Sequence, residues 1–237
     1  MLKVMQKNQY TCLIPFYNEN WRIINVLTKM AVLIENGKLK SIICVDDGST
    51  DNTTKLISDT FSQVKEIKVV GYEQNSGKSA ALKYGLSLVK TSHVLLFDAD
   101  LNSFSSKSIE QALDAVSNNN LIDALIFRQT DDPLISKILR HDLIISGERI
   151  VKTSDLKNIF QKNPVNYQIE FVINNYLLRN RKNTFWIPFY SKNHFKLKKW
   201  SCKIAFKKTL QCQKELFKFQ HLEQWLFFRP KALPHIL

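Results

Sequence analysis

Over its first 128 residues this chain repeats one unit: a short apolar run, a polar turn, then a stretch with apolar residues at helical spacing. "YTCLIP" (10–15) is an apolar run ended by Pro15, as a strand would be. "NENWRIINVLTKMAVLIENG" follows as a helix, with Asn18 or Asn20 placed to cap it and Gly37 to stop it. "KSIICVDDGSTDNT" is a second strand running into an acidic turn, and "TTKLISDTF" a second helix. The pattern continues with strand "EIKVVGYEQNSG", helix "KSAALKYGLSLVK", strand "SHVLLFDAD", helix "SIEQALDAVSNNN" and strand "LIDALIFR". Strands alternating with helices predict an α/β fold around a mainly parallel sheet flanked by helices.

That prediction says where chemistry should sit. In open α/β sheets ligands bind beyond the carboxyl ends of the strands. Three strands here end in polar loops: Asn18-Glu19, Asp46-Asp47-Gly48-Ser49 and Asp98-Ala99-Asp100. The three loops are expected to share one rim.

After residue 128 the alternation stops. A helix is expected around 133–145, a short one over "TSDLKNIF", a stronger one over "VNYQIEFVINNYLLRN", and a strand over "NTFWIPF". From Ser191 to Phe228 the chain is rich in lysine and aromatics and reads as helical. Neither internal repeats nor a low-complexity linker appear.

Charge separates the body from this tail. The net charge is +13, yet 14 Lys/Arg against two acids, Glu215 and Glu223, lie between Arg179 and Leu237. The rest is nearly neutral, so the tail is the part suited to an anionic partner. Residues 185–228 also hold 12 of the 26 aromatics. A helix placing Leu197, Trp200, Ile204 and the span Phe206 to Phe217 near one side can lie on an anionic membrane. Nucleic acid is not expected, because no groove-reading motif accompanies the basic residues. No apolar run reaches the ~18 residues of a membrane span, and the start lacks a signal-peptide core. The expected location is therefore cytoplasmic, with a peripheral position at the inner face of a membrane. Cys12, Cys44, Cys202 and Cys212 form no C-x-x-C pair, which argues against a zinc site or disulfide framework.

Asp98 and Asp100 carry the strongest chemical signal. Two carboxylates at i and i+2 beyond a buried strand suit a hard divalent cation, Mg²⁺ or Mn²⁺, which also takes substrate phosphates as ligands. Such a cation cancels charge on a leaving diphosphate. Two other enzyme classes use related strings. "GYEQNSGKS" has five residues between Gly71 and Gly77, where a P-loop needs four. A haloacid-dehalogenase-like phosphohydrolase places its apolar-D-x-D near the amino terminus with a small Thr/Val position after it; here Leu101-Asn102 follows and almost 100 residues precede.

"PFYNE" (15–19), "VDDGSTDNT" (45–53), "NSGKSAAL" (75–82) and "FDADL" (97–101) occur in that order. Together they resemble family 2 glycosyltransferases of the GT-A (nucleotide-diphospho-sugar transferase) fold, the group that includes polyprenyl-phosphate sugar transferases. The resemblance implies a nucleotide-diphospho-sugar donor and an inverting, metal-dependent transfer. In that frame Asp46 or Asp47 accepts from the N–H groups of the base, and Pro15, Asn18 and Glu19 shape the nucleotide pocket. Gly48 permits the turn, and Asp51 caps the next helix. Gly77 leaves backbone N–H groups for phosphate while Lys78 adds a cation. Asp98 touches ribose or metal, and Asp100 ligates metal. A non-catalytic binder of nucleotide sugars fits the same motifs.

The acceptor side is expected after the D-x-D. An acceptor hydroxyl needs a general base, which an ionised phosphate does not. The candidates are Asp131, Asp132, Asp142, Glu148 and Glu170. "SGERIVKTSDL" resembles the small-Gly-x-Arg segment of some relatives, which would make Arg149 a phosphate or carboxylate ligand. "NYQIEFVINNYL" resembles a helix opened by an acid beside the acceptor, which makes Glu170 the first choice for the base. The E-D pair of many family members is absent. The expected division is a glycosyltransferase domain over 1–190, with a donor half (1–130) and an acceptor half (131–190), and a basic helical tail over 191–237.

Overall fold

The computed structural model describes residues 9–130, 146–161, 169–193 and 227–233. The described elements follow the chain as β1 (Tyr10–Phe16), α1 (Trp21–Glu35), β2 (Ser41–Asp47), α2 (Thr53–Thr60), β3 (Ile67–Tyr72), α3 (Lys78–Leu88), β4 (His93–Leu96), β5 (Leu101–Ser103) and α4 (Ser106–Asn118). Then come β6 (Ala124–Gln129), β7 (Arg149–Lys152), α5 (Thr153–Phe160), α6 (Ile169–Arg179), β8 (Thr184–Phe189), β9 (Lys192–Asn193) and β10 (Lys231–Ala232).

The expected strand–helix alternation is present from β1 to β6. It builds an eight-stranded sheet in the order β10-β8-β6-β7-β4-β1-β2-β3. Every pairing in it is parallel except those of β7, which runs antiparallel between β4 and β6. Alternate residues of each central strand feed opposite cores. Cys12, Ile14, Ile42 and Cys44 pack with α1 (Ile23, Leu27, Met30) and α4 (Ile109, Leu113). Leu13, Ile43 and Val45 pack with α3 (Leu82, Leu86), α5 (Leu156, Ile159) and α6 (Ile173, Leu177). Burial on both faces is why these strands read as unbroken apolar runs. Cys12 and Cys44 are buried free thiols within this sheet.

Several expectations need correcting. β7 was not anticipated: it has only four residues, and its partners β4 and β6 are distant in sequence. The tail does not begin as helix, because Lys192–Asn193 pairs with β5 as a second, two-stranded antiparallel sheet. Its end returns to the main sheet, where Lys231 and Ala232 pair with Phe185 and Trp186 of β8. Strand pairing thus crosses the division expected at residue 190. Asn20 holds the cap position of α1, but its side chain makes no cap bond and its backbone has φ 48°. The helix expected around 133–145 and the amphipathic stretch 194–226 lie outside the described residues.

Candidate active site

The parallel strands β1, β2, β3 and β4 end on one side, and their loops are fastened to each other. Asn18 (φ 54°) is the first fastener. Its amide N–H donates to Ser49 Oγ at 3.0 Å, and its Oδ1 accepts from the backbone N–H groups of Thr50 (2.8 Å) and Asp51 (3.3 Å). Asn18 therefore does not cap α1; it ties the β1 loop to the β2 loop. The Asn20 N–H reaches Thr53 Oγ1 at 2.7 Å and adds a second tie. Glu19 is buried and pairs with Arg22 at 3.3 Å. Asp51 accepts from the Thr53 N–H at 3.0 Å, so it steadies the start of α2 from one residue outside the cap position.

Asp46 and Asp47 differ sharply in what they have left to offer. Asp47 is 5% exposed. Its carboxylate accepts from Tyr72 Oη (2.8 Å), Asn75 Nδ2 (3.1 Å), Ser76 N (2.9 Å) and Gly77 N (2.9 Å). Burial, and then this carboxylate, raise the pKa of the Tyr72 phenol. The Gly77 N–H, expected to face phosphate, is instead held by Asp47. Asp47 shapes the β3–α3 loop. Asp46 is half-buried and accepts from Ser49 N at 2.7 Å and from Thr54 Oγ1. Each of its oxygens carries one such bond, so acceptor capacity remains. Directly after them Gly48 turns the chain at φ +73°, where an added Cβ would lie 2.6 Å from Asn75 N.

A small cleft opens at this rim, lined by Pro15, Lys78, Asp98, Gly147, Arg149 and Glu170 among others. Five of these six were singled out from sequence. Lys78, first residue of α3, lies between two acids: its Nζ is 2.8 Å from Asp98 Oδ1 and 2.9 Å from Glu170 Oε1. Burial disfavours the ammonium, but Asp98 and then Glu170 outweigh it, and the Lys78 pKa is raised. Glu170 sits in the first turn of α6 with its side chain 14% exposed. It points into the cleft rather than outward from a surface helix.

The floor of the cleft comes from the loop entering β7. Gly147 packs against Asp98: a Cβ there would lie 2.7 Å from Asp98 Oδ2. No other residue permits that approach without moving the acid. Glu148 is 2% exposed. Burial, and then the negative charge of Asp98, push its carboxyl pKa up to about 8. Glu170 lines the cleft and Glu148 does not, which sets Glu148 below Glu170 among the base candidates. Asp131, Asp132 and Asp142 lie outside the described residues.

Arg149 is placed differently from expectation. It is fully buried. Its Nε donates to Ser146 O at 3.1 Å, Nη2 to the same carbonyl, and Nη1 to Asn174 Oδ1 at 2.9 Å. The guanidinium ties the floor loop to α6 beneath the cleft. Burial lowers its pKa, while Glu170, Glu148 and Asp98 pull the other way. Sequence reading gave no role to Ser146 or Gly147 and missed Asn174. "SGER" held the signal for the first two; nothing marked a single Asn inside an apolar helix.

Asp98 and Asp100 suit a divalent cation chemically. They are half-buried hard-oxygen donors two residues apart, and Asp98 already holds a cationic group, the Lys78 ammonium. Among the described residues no group of three or more His, Cys, Asp or Glu is set to hold a metal alone.

Comparison with known proteins now bears on this geometry. The sequence profile of glycosyl transferase family 2 matches residues 11–229. The chain belongs to that family. It is similar to dolichyl-phosphate beta-glucosyltransferase of Saccharomyces cerevisiae, with 30% identity over 153 residues, 61% of this chain and 44% of that protein. The protein of the same name from Dictyostelium discoideum is 26% identical over 229 residues, 91% of this chain and 58% of its own length. The chain thus spans about half the length of these relatives. Among solved structures, Mycobacterium tuberculosis glucosyl-3-phosphoglycerate synthase, in complex with Mn²⁺, UDP-glucose and phosphoglyceric acid, superposes with TM-score 0.68. That match has 15% identity and covers 92% of this chain and 80% of that one. The family 2 chain has the GT-A fold, with its mainly parallel sheet between helical layers.

Proposed function

We propose that this family 2 protein transfers a sugar from a nucleotide-diphosphate donor to a lipid-linked phosphate, with inversion. The observation that carries the reading is the Asp98–Lys78–Glu170 chain of ion pairs, closed within 2.9 Å contacts at the carboxyl end of the sheet. It brings Asp98, Lys78 and Glu170 into one cleft, which supports reading them as metal ligand, diphosphate-binding cation and acceptor-side acid.

The donor roles follow from that arrangement. Asp46 has the spare acceptor capacity to read the base, while Asp47 keeps the β3–α3 loop in shape. Pro15 walls the cleft. Asp98 and Asp100 would hold Mg²⁺ or Mn²⁺, and the cation would supply charge stabilisation on the departing diphosphate. Lys78 adds a second positive charge there. Gly147 and Arg149 keep the floor close to Asp98 and α6.

The acceptor decides what Glu170 does. A hydroxyl must lose its proton as it attacks, and Glu170 is the described carboxylate placed to take it. A phosphate monoester has a second pKa of about 6 and arrives as an oxyanion, so Glu170 then only steadies Lys78. Similarity to dolichyl-phosphate transferases favours the phosphate. The basic stretch within 191–228 would hold the protein at the inner face of an anionic membrane, near such an acceptor. No described helix is long and apolar enough to cross one.

The test is transfer of labelled glucose from UDP-glucose and Mn²⁺ to polyprenyl phosphate in vesicles, with phosphoglycerate as the competing acceptor. Labelled lipid supports the reading, and transfer only to phosphoglycerate or to none overturns it. Glu170→Gln should lower lipid transfer by less than about tenfold; a loss of about 10²-fold or more would show that Glu170 does more in that transfer than steady Lys78.

A further inference from the structure

Asp98 and Asp100 stand on a loop whose shape is fixed from far along the chain. Phe97, Ala99 and Leu101 sink into the core shared with α1 and α4, and each is nearly inaccessible. The two acids take the positions between them and stay half-buried. What packs against the apolar residues is Phe189, the last residue of β8. Its ring centroid lies 6.2 Å from that of Phe97, one residue before Asp98, and 6.3 Å from that of Phe104, just beyond β5. Phe97 and Phe104 meet each other at 4.9 Å, so the three rings tie the two ends of the loop together. Phe127 of β6 backs Phe189 at 5.1 Å, and the Phe189 carbonyl accepts from the Thr130 N–H at 3.2 Å. A few residues further on, β9 pairs antiparallel with β5, placing Asn193 opposite Leu101 and Lys192 opposite Ser103. Residues 189–193 therefore grip the loop by side chain at both its ends and by backbone directly after Asp100.

We propose that Phe189 and the β9 pairing are the positioning elements that fix how far apart the Asp98 and Asp100 carboxylates stand, and that this spacing sets which divalent cation the protein accepts. The inference rests on the metal-ligand role read for the two acids and adds what makes their geometry rigid. Phe189 touches no ligand; it acts through the loop. Mg²⁺ demands near-ideal octahedral geometry, whereas Mn²⁺, a larger ion, tolerates a displaced oxygen better. Removing the Phe189 ring leaves a space into which Phe97 and Phe104 relax, because a packed core passes a local loss to its neighbours. The acids then shift, and Mg²⁺ suffers before Mn²⁺ does.

The experiment titrates Mg²⁺ and Mn²⁺ separately into the full chain saturated with UDP and reads each affinity by calorimetry. Phe189→Leu should weaken Mg²⁺ about tenfold and Mn²⁺ by about threefold or less, with metal-free UDP affinity unchanged. Asn193→Pro, which disturbs only the two-stranded sheet, should shift the Mg²⁺/Mn²⁺ ratio in the same direction. Ile57→Ala, a buried change in α2 on the same core, should lower the melting point and leave the ratio as in wild type. A ratio unchanged in Phe189→Leu overturns the proposal, and so does an equal shift in Ile57→Ala, which would mean general loosening. If Phe189→Leu does not fold, a wild-type ratio in folded Asn193→Pro overturns it. Failure of the metal-ligand reading looks different: wild type itself would then bind neither cation in the presence of UDP.

Discussion

The two ends of the sheet each carry a cluster of acids and bases, and they do opposite things. At the carboxyl end Asp98, Lys78 and Glu170 are part-exposed around a cleft, and their ion pairs can be exchanged for ligand contacts. At the amino end, Lys152 meets Asp123 at 2.6 Å, and Lys182 and Tyr176 Oη both meet Asp155 at 3.0 Å. There Asp155 is 4% exposed and His93 5%. These groups join α5, α6 and the starts of β4, β6 and β8, so their bonds hold elements together. Charge pairs alone do not make a site. Access and an uncommitted partner do.

Substitutions should separate the two ends. The largest effect is expected at the rim. Asp100→Ala should lower sugar transfer by roughly 10²-fold or more and abolish Mn²⁺-dependent stabilisation by UDP in a thermal-shift assay, with the melting point of the free protein unchanged. A fall in that melting point would move Asp100 into the structural class.

The far end should show the reverse. Asp155→Ala leaves Lys182 and Tyr176 without their shared buried acceptor. It should cost about 3 kcal/mol of stability in urea unfolding, while UDP affinity at a temperature where the variant is folded stays unchanged. A variant that keeps its stability but loses UDP affinity would erase the distinction drawn between the two ends.

The smallest expected effect is one of pH. Burial, and then the Lys152 ammonium, push the His93 pKa down to about 4, while Asp123 and Asp155 pull it up. His93 is thus neutral when folded and takes up a proton more readily when unfolded. Its contribution is fully present above the unfolded pKa of about 6.5 and is lost as pH falls from there toward about 4. The urea midpoint should decline across that window in wild type and decline less in His93→Gln. Equal slopes would show that His93 does not titrate on unfolding.

Much of the fold could be read from local pattern. Pro15 and Gly37 mark ends that the structure keeps close by, and "SHVLLFDAD" became β4 with its acids beyond the strand. Such features depend on neighbours within a few residues. β7 could not be read that way. "RIVK" is a strand because β4 and β6 leave a gap that it fills, and an arginine at its first position argues locally against burial. Arg149 is buried because Ser146 O and Asn174 Oδ1 receive its donors. The same is true of Asp46 and Asp47: adjacent in sequence and alike in chemistry, they were separated only by which N–H groups the fold brought to each.

What the amino-acid order determined by itself was the alternating α/β pattern and the placing of Asn18, Asp46, Lys78 and Asp98 just beyond or before element ends. Period and punctuation suffice for that, because each acts over a turn or a strand. Tertiary structure alone decided that Lys78 meets both Asp98 and Glu170, 92 residues further along the chain from it, that Gly147 lies against Asp98, and that Arg149 is a brace. Those outcomes depend on sheet order and helix seating, which set distances between residues that no local spacing relates.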